Sequence, residues 1–102
     1  MHRIKITVLK KTYFKEIADK YRSAEKEVCQ QFQEGQEFIT EENSPYGPPN
    51  NFCPFAWNDI YKFFFVLKQE GLFSADMKDD HSVIACCTDG VRPVIFKIER
   101  IR

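Results

Sequence analysis

The cysteines are the residues of this chain best suited to chemistry. The sequence has four of them, at Cys29, Cys53, Cys86 and Cys87. Cys53 precedes Pro54, which suits the first position of a helix because its missing N–H is not needed there. The unpaired N–H groups and the dipole at a helix N-terminus favour an anion, so a thiolate at Cys53 would be a good nucleophile or metal ligand. The alternative is an ordinary cysteine packed under Phe52 and Phe55, since free cysteine is often a small core residue.

The remaining cysteines allow a site shared with Cys53. Cys86 and Cys87 are adjacent, so on a strand they point to opposite faces and only one of them can join Cys53. Cys29 lies in a third segment. Three thiolates suit Zn²⁺ when a histidine completes the set, or an iron–sulfur cluster when a position stays open. Most structural zinc sites contain a Cys-x-x-Cys pair, which this sequence lacks, so metal binding, a redox or nucleophilic thiol and plain burial all stay open.

Few other polar residues suggest chemistry. At the tip of a predicted hairpin, Asp89 is expected to shape the turn and Arg92 to be exposed, the functional alternative being that Arg92 binds an anion. His2 and His81 are expected in solvent. No Gly-rich phosphate loop, His-Glu-x-x-His helix or Gly-x-Ser-x-Gly elbow is present. An enzyme with Cys53 as nucleophile would lack an obvious base, so whether the protein is an enzyme stays open.

Alternation of apolar and polar residues predicts the strands that would position these groups. The predicted strands are 3–10, 36–40, 82–87 and 91–101. The last two surround Asp89-Gly90, a common hairpin signal. Pro93 cannot donate to a ladder, so it indicates an edge position, a bulge or a longer loop.

A first helix is predicted after Thr12, which can cap it. Its apolar residues recur at helical spacing and are Phe14, Ile17, Ala18 and Tyr21. The helix is expected to end by about Val28. A Pro- and Gly-containing loop at 41–51 follows the second strand.

Residues 54–70 are the strongest predicted helix, with Gly71 as its stop. The main apolar stripe comprises Ala56, Trp57, Ile60, Phe63, Phe64 and Leu67. Phe55, Phe65 and Val66 fall outside that stripe, so one packed layer would not cover the helix. We therefore expect these three residues to form an association surface that binds a second copy of the chain. The protein would then be a homo-oligomer.

The composition describes a single domain spanning residues 1–102, because its size and its aromatic content of 15% are typical of a small folded unit. The chain has 15 Lys plus Arg and 15 Asp plus Glu, so a nucleic-acid partner that needs bulk positive charge is not expected. No apolar run approaches the ~20 residues that cross a bilayer, and the alternating N-terminus is unlike a signal peptide. We expect a cytoplasmic protein without a membrane partner, in which thiols are reduced.

The predicted order β-α-β-α-β-β indicates an α+β fold, with a mainly antiparallel sheet and two helices on one face. The function expected first is that of a self-associating binding or assembly module. The alternative is a cysteine-based metal protein, holding Zn or an Fe–S cluster, or a thiol-redox protein. That alternative would use Cys53 with Cys29 and either Cys86 or Cys87.

Three segments resemble a family of small prokaryotic proteins of about this length that is common in anaerobes. The segments are CQQFQEGQEF at 29–38, FCPFAWNDIY at 52–61 and ACCTDGVRPVIFKIERI at 85–101. The family pattern has a cysteine before Gly-Gln-Glu-Phe, then Cys-Pro-x-Ala-Trp, then Cys-Cys-Thr-Asp-Gly before Arg-Pro-Val. The resemblance implies a shared cysteine site and brings no established activity. One departure is Gln30, where relatives commonly have proline, and it can alter the turn at Cys29.

Overall fold

A computed structural model describes residues 2–23, 28–40, 45–73 and 77–101 of the chain. Its elements are β1 (Arg3–Lys11), α1 (Lys15–Tyr21), β2 (Glu37–Ile39), α2 (Pro54–Lys68), β3 (Ser82–Cys86) and β4 (Val94–Ile101). Within the described residues, the strands form one antiparallel sheet in the order β2-β1-β4-β3. The predicted α+β class and element order are confirmed. None of the helices in the described ranges has the length and apolar character needed to span a membrane.

The core lies between α2 and one face of the sheet. Alternate residues of β1 and β4 point towards α2, as their register shows: Ile6 pairs with Ile98 and Val8 with Phe96, and all four are fully buried. The α2 residues buried against them include Ala56, Ile60, Phe64 and Leu67. Alternating strand residues and a helical stripe therefore meet in one layer of packing, as the sequence patterns predict.

Four phenylalanines from separate segments form a cluster at one end of this core. The four-phenylalanine cluster consists of Phe32, Phe38, Phe52 and Phe96. Ring centroids are 4.9 Å apart for Phe38 and Phe52, and 5.1 Å apart for Phe32 and Phe96. Such tilted and edge-to-face pairs add to the free energy gained by burial alone. The cluster therefore anchors the segment before β2 and the segment before α2 to the sheet.

The first helix differs from its prediction. Its N-cap is Phe14, and the predicted cap at Thr12 is wrong because that hydroxyl donates to the Pro93 carbonyl oxygen at 2.6 Å. The helix ends at Tyr21, before the limit expected near Val28, and residues 24–27 lie outside the described part of the chain. Within Lys15–Tyr21 the buried residue is Ala18. The covering of the sheet face therefore comes from α2.

The connection between β3 and β4 is longer than a two-residue turn. Cys86 pairs with Ile95 in the ladder, and the Cys87 N–H donates to the Val94 carbonyl oxygen at 3.1 Å. Pro93 lies in the resulting loop, where its lack of an N–H leaves the ladder intact. The predicted hairpin is present, with the longer loop that proline indicated.

The end of α2 is fixed by close packing rather than by a left-handed glycine. Glu70 takes the left-handed conformation, with φ of 66°, and the Gly71 N–H donates to the Val66 carbonyl oxygen at 2.8 Å. A Cβ at Gly71 would overlap the Val66 side chain and lie 2.8 Å from the Val66 carbonyl oxygen. Gly71 is therefore required because a side chain at this position would collide with Val66.

Gly71→Ala is expected to lower the free energy of unfolding by about 1–3 kcal/mol, the usual effect of forcing a methyl group into a packed site. Gly90→Ala is the matched control, because nothing lies within 4 Å of a Cβ placed there. Its effect is expected to stay within about 0.5 kcal/mol. Urea unfolding followed by circular dichroism measures both, and equal losses in the two variants would contradict the steric account.

Candidate functional site

Three cysteines line one pocket beside the N-terminus of α2. This thiol pocket has a volume of about 270 Å³ and is lined by Cys29, Cys53 and Cys87 together with Asp59, Asp89 and Arg92. Apolar walls come from Phe32, Phe55 and Ala56. All four cysteines of the chain are free thiols. Residues from three separate segments are therefore brought to one small cavity.

Cys53 is placed by the residues on either side of it. Phe52 is buried in the four-phenylalanine cluster, and Pro54 is the first residue of α2. Cys53 is the N-cap, and its carbonyl oxygen accepts the Trp57 N–H at 2.9 Å. Its side chain makes no capping hydrogen bond to any described residue and lines the thiol pocket. The sulfur therefore lies near the positive end of the helix dipole.

Cys29 reaches the thiol pocket through the packing of Phe32. The Phe32 ring is 2% exposed, with its centroid 5.2 Å from that of Phe52, and its carbonyl oxygen accepts a hydrogen bond from the Lys11 Nζ at 2.9 Å. The Cys29 Sγ accepts the Gln31 N–H at 3.4 Å. The loop that carries this thiol is therefore tied to the sheet by an aromatic side chain and a lysine.

The side chains of Cys86 and Cys87 point to opposite faces of the sheet, as those of adjacent residues in an extended chain do. Cys87 lies on the α2 side of the sheet, where its Sγ accepts the Val94 N–H at 3.3 Å. Cys86 is exposed and does not line the thiol pocket. Of the two, the structure brings Cys87 together with Cys53.

Asp89 organises the loop that carries Cys87. Its Oδ1 accepts the N–H groups of Val91 and Arg92 at 2.9 and 3.0 Å and lies 3.2 Å from the Arg22 Nη2. Burial raises the pKa of this carboxyl, but the two N–H donors and the charges of Arg22 and Arg92 outweigh burial and leave the pKa below its usual range. Asp89 thus shapes the turn that follows Cys87.

Asp59 is a site residue that the sequence did not reveal. Its two carboxylate oxygens accept the N–H and the hydroxyl of Thr88, at 2.8 and 2.9 Å. These bonds tie the first turns of α2 to the loop that follows Cys87. In the sequence, Asp59 lies four residues after Phe55, so the two side chains share one face of the helix. That spacing is the one signal that could have placed Asp59 beside the thiol pocket. Its partner is distant in sequence, so no local pattern identifies the pair.

The histidines lie elsewhere. His2 Nε2 is 2.8 Å from Glu70 Oε1, and His81 Nδ1 is 3.5 Å from Asp79 Oδ1. Both histidines line a different pocket, which also includes Arg100. In the described part of the chain, no group of three or more His, Cys, Asp or Glu residues has the geometry to hold a metal ion. The Zn²⁺ ion or iron–sulfur cluster therefore stays a prediction without geometric support.

The predicted association surface is divided. The Phe55 ring is 82% exposed and borders the thiol pocket at the start of α2. Phe65 and Val66, 37% and 40% exposed, line an apolar groove near the other end of the helix. Phe55 therefore belongs with the cysteines, and Phe65 and Val66 form a separate patch.

Asp89→Asn is expected to destabilise the protein at neutral pH by about 1 kcal/mol, since the turn loses a charged acceptor that is partly solvated. A lowered folded-state pKa gives stability that is present above the unfolded pKa and is lost as pH falls through the folded value. The difference from wild type should therefore shrink below about pH 4. Denaturant unfolding at several pH values measures it. Asp19→Asn, on the exposed surface of α1, is the control, and a pH-independent loss at Asp89 would contradict the account.

The sequence matches no protein-family model and no curated protein, and the structure matches no solved structure. The resemblance to the family of small prokaryotic proteins therefore stays a prediction. Function is therefore inferred from the geometry of the thiol pocket itself.

Proposed function

We propose that the protein is a thiol-redox protein in which Cys53 works with Cys29 and Cys87. The single observation that carries the proposal is that these three cysteines, from three segments, line one cavity of about 270 Å³. The proposed setting is the cytoplasm, where cellular reductants return such thiols to the reduced form. Oxidation of two of the thiols would form a disulfide and release two protons and two electrons to an oxidant.

The surroundings of the sulfurs support this chemistry. The Sγ atoms of Cys29 and Cys87 each accept a backbone N–H, and Cys53 lies at the N-terminus of a helix. These contacts direct the positive ends of backbone dipoles at the sulfurs. All three thiols are partly buried, whereas Cys86 is exposed. The pocket cysteines are therefore in a different environment from the remaining one.

Mild oxidation of the reduced protein with diamide is expected to form an intramolecular disulfide between two of the pocket cysteines. Peptide mapping by mass spectrometry identifies the pair. Cys86→Ser is the matched control and should leave the product unchanged, whereas Cys53→Ser should remove disulfides that contain residue 53 and slow the overall oxidation. Products limited to intermolecular bonds through Cys86, or no pocket disulfide at all, would refute the proposal.

A second candidate function is favoured by the patch at the C-terminal end of α2. Phe65 and Val66 line the apolar groove with Tyr61, Lys62 and Gln69. The Tyr61 ring stacks on Phe65 with centroids 6.1 Å apart, so the patch is preformed. We propose that this patch lets the chain associate with a second copy, as an assembly module. Aromatic side chains of this kind often supply most of the binding energy of an interface.

Phe65→Glu is expected to shift the protein from dimer to monomer, because a charge would be buried without a partner in the interface. Light scattering at concentrations up to the high micromolar range measures the mass. Ile17→Glu on α1 is the control, since Ile17 is 46% exposed and does not line the apolar groove. A wild-type protein that stays monomeric over this range would eliminate the second candidate.

A further inference from the structure

The thiol pocket contains a cation whose terminal donors are unused. Arg92 lines the pocket with its side chain 30% exposed, and its Nε lies 3.5 Å from Asp89 Oδ2. Its Nη1 and Nη2 atoms make no hydrogen bond to any described residue. A guanidinium with two free terminal nitrogens presents the fork that binds a carboxylate through paired hydrogen bonds.

The two carboxylates of the thiol pocket are held by other groups or reach Arg92 only at its Nε, so neither of them bonds the terminal nitrogens of Arg92. Both oxygens of Asp59 accept hydrogen bonds from Thr88. Asp89 accepts two backbone N–H groups and is paired with Arg22. Of the pocket-lining groups in the described ranges, Arg92 is therefore the one with charged donors still available to a ligand.

The remaining walls restrict the size and polarity of what can enter. Phe32 and Ala56 are buried and apolar, and the exposed Phe55 ring stands at the mouth. Pockets for drug-sized ligands usually exceed about 300 Å³, so a cavity of about 270 Å³ suits a ligand of amino-acid size. A short aliphatic chain would contact the apolar walls between the sulfurs and the guanidinium.

We propose that Arg92 makes the thiol pocket selective for small disulfides that carry a carboxylate. This inference rests on the proposed thiol function and names the class of its oxidant. The Arg92 fork binds the carboxylate and brings the disulfide to Cys53.

The step is a thiol–disulfide exchange. The Cys53 thiolate attacks one sulfur of the ligand, and a new S–S bond joins Cys53 to the half of the ligand that it attacked. The S–S bond of the ligand breaks, and the other half leaves as a thiolate with the electron pair and takes a proton from water. The sulfur of Cys53 has then been oxidised to the level of a disulfide, and the departing half of the ligand has been reduced to a thiol.

The test compares two disulfide probes of similar size, 3,3′-dithiodipropionate and the neutral 2-hydroxyethyl disulfide. The protein carries Cys86→Ser so that the exposed thiol does not react. Mass spectrometry measures formation of the adduct and release of the small thiol. Each rate is divided by that of a simple model thiol with the same probe, because the two probes differ in intrinsic reactivity. A charge-assisted pair predicts about a tenfold preference for the dicarboxylate.

Arg92→Gln is expected to reduce this preference to about twofold or less, since the neutral amide keeps polarity without the charged fork. Arg92→Lys keeps the charge and should give an intermediate preference. Arg22→Gln is the matched control, because Arg22 contacts the same Asp89 but does not line the thiol pocket. Circular dichroism checks that each variant is folded. If Arg92→Gln does not fold, the preference measured for Arg92→Lys is compared with that of the wild type instead.

The outcomes separate this inference from the proposed function. Equal normalised rates for the two probes in the wild-type pocket, or a preference that persists in Arg92→Gln, would overturn the role of Arg92 while leaving thiol exchange in place. No reaction of Cys53 with either probe would refute the proposed function itself. A dicarboxylate preference lost in Arg92→Gln and retained in Arg22→Gln would support the inference.

Discussion

The packing of Phe32, Phe38, Phe52 and Phe96 is the interaction on which the geometry of the site depends. These rings join a loop, two strands and the residue before Cys53, and each is at most 8% exposed. Two of the three pocket cysteines lie within three residues of a member of this cluster, at Cys29 and Cys53. Without it, the segments that carry these thiols would have few contacts to hold them against the sheet.

The third thiol is held by polar contacts instead. Asp59 accepts two hydrogen bonds from Thr88, and Asp89 shapes the turn that follows. The loop is thereby fixed both to α2 and to its own backbone, and the Thr12 hydroxyl adds a bond from the end of β1 to Pro93. The thiol pocket thus has one wall fixed by aromatic packing and another fixed by hydrogen bonds nearer the surface. This combination keeps the sulfurs near the helix N-terminus and still leaves room for a ligand.

The sequence predicts those parts of the fold that depend on local periodicity. The alternation from Ile4 to Val8 and the helical stripe through Ile60 and Phe64 correspond to the buried faces of β1 and α2. The cap of α1 was wrong because the competing acceptor, the Pro93 carbonyl oxygen, is distant in sequence. Tertiary contacts of this kind override local preference and leave no periodic signal.

The site was predictable only in part. Adjacent cysteines on a strand must separate, so a pocket with one of Cys86 and Cys87 follows from pleat geometry. The division between Phe55 and the patch at Phe65 and Val66 was missed because apolar spacing on a helix does not indicate which loop packs beside each turn. The pairing of Asp59 with Thr88 was missed for the same reason, since it depends on how α2 lies across the sheet.

The most direct test of the convergence of the thiols is titration of the reduced protein with phenylarsine oxide, a trivalent arsenical that binds pairs of neighbouring thiolates. Alkylation and peptide mapping then show which cysteines are protected. The account predicts that one equivalent protects two of Cys29, Cys53 and Cys87 and leaves Cys86 free to react. Protection of none of these three, or binding that requires Cys86, would contradict it.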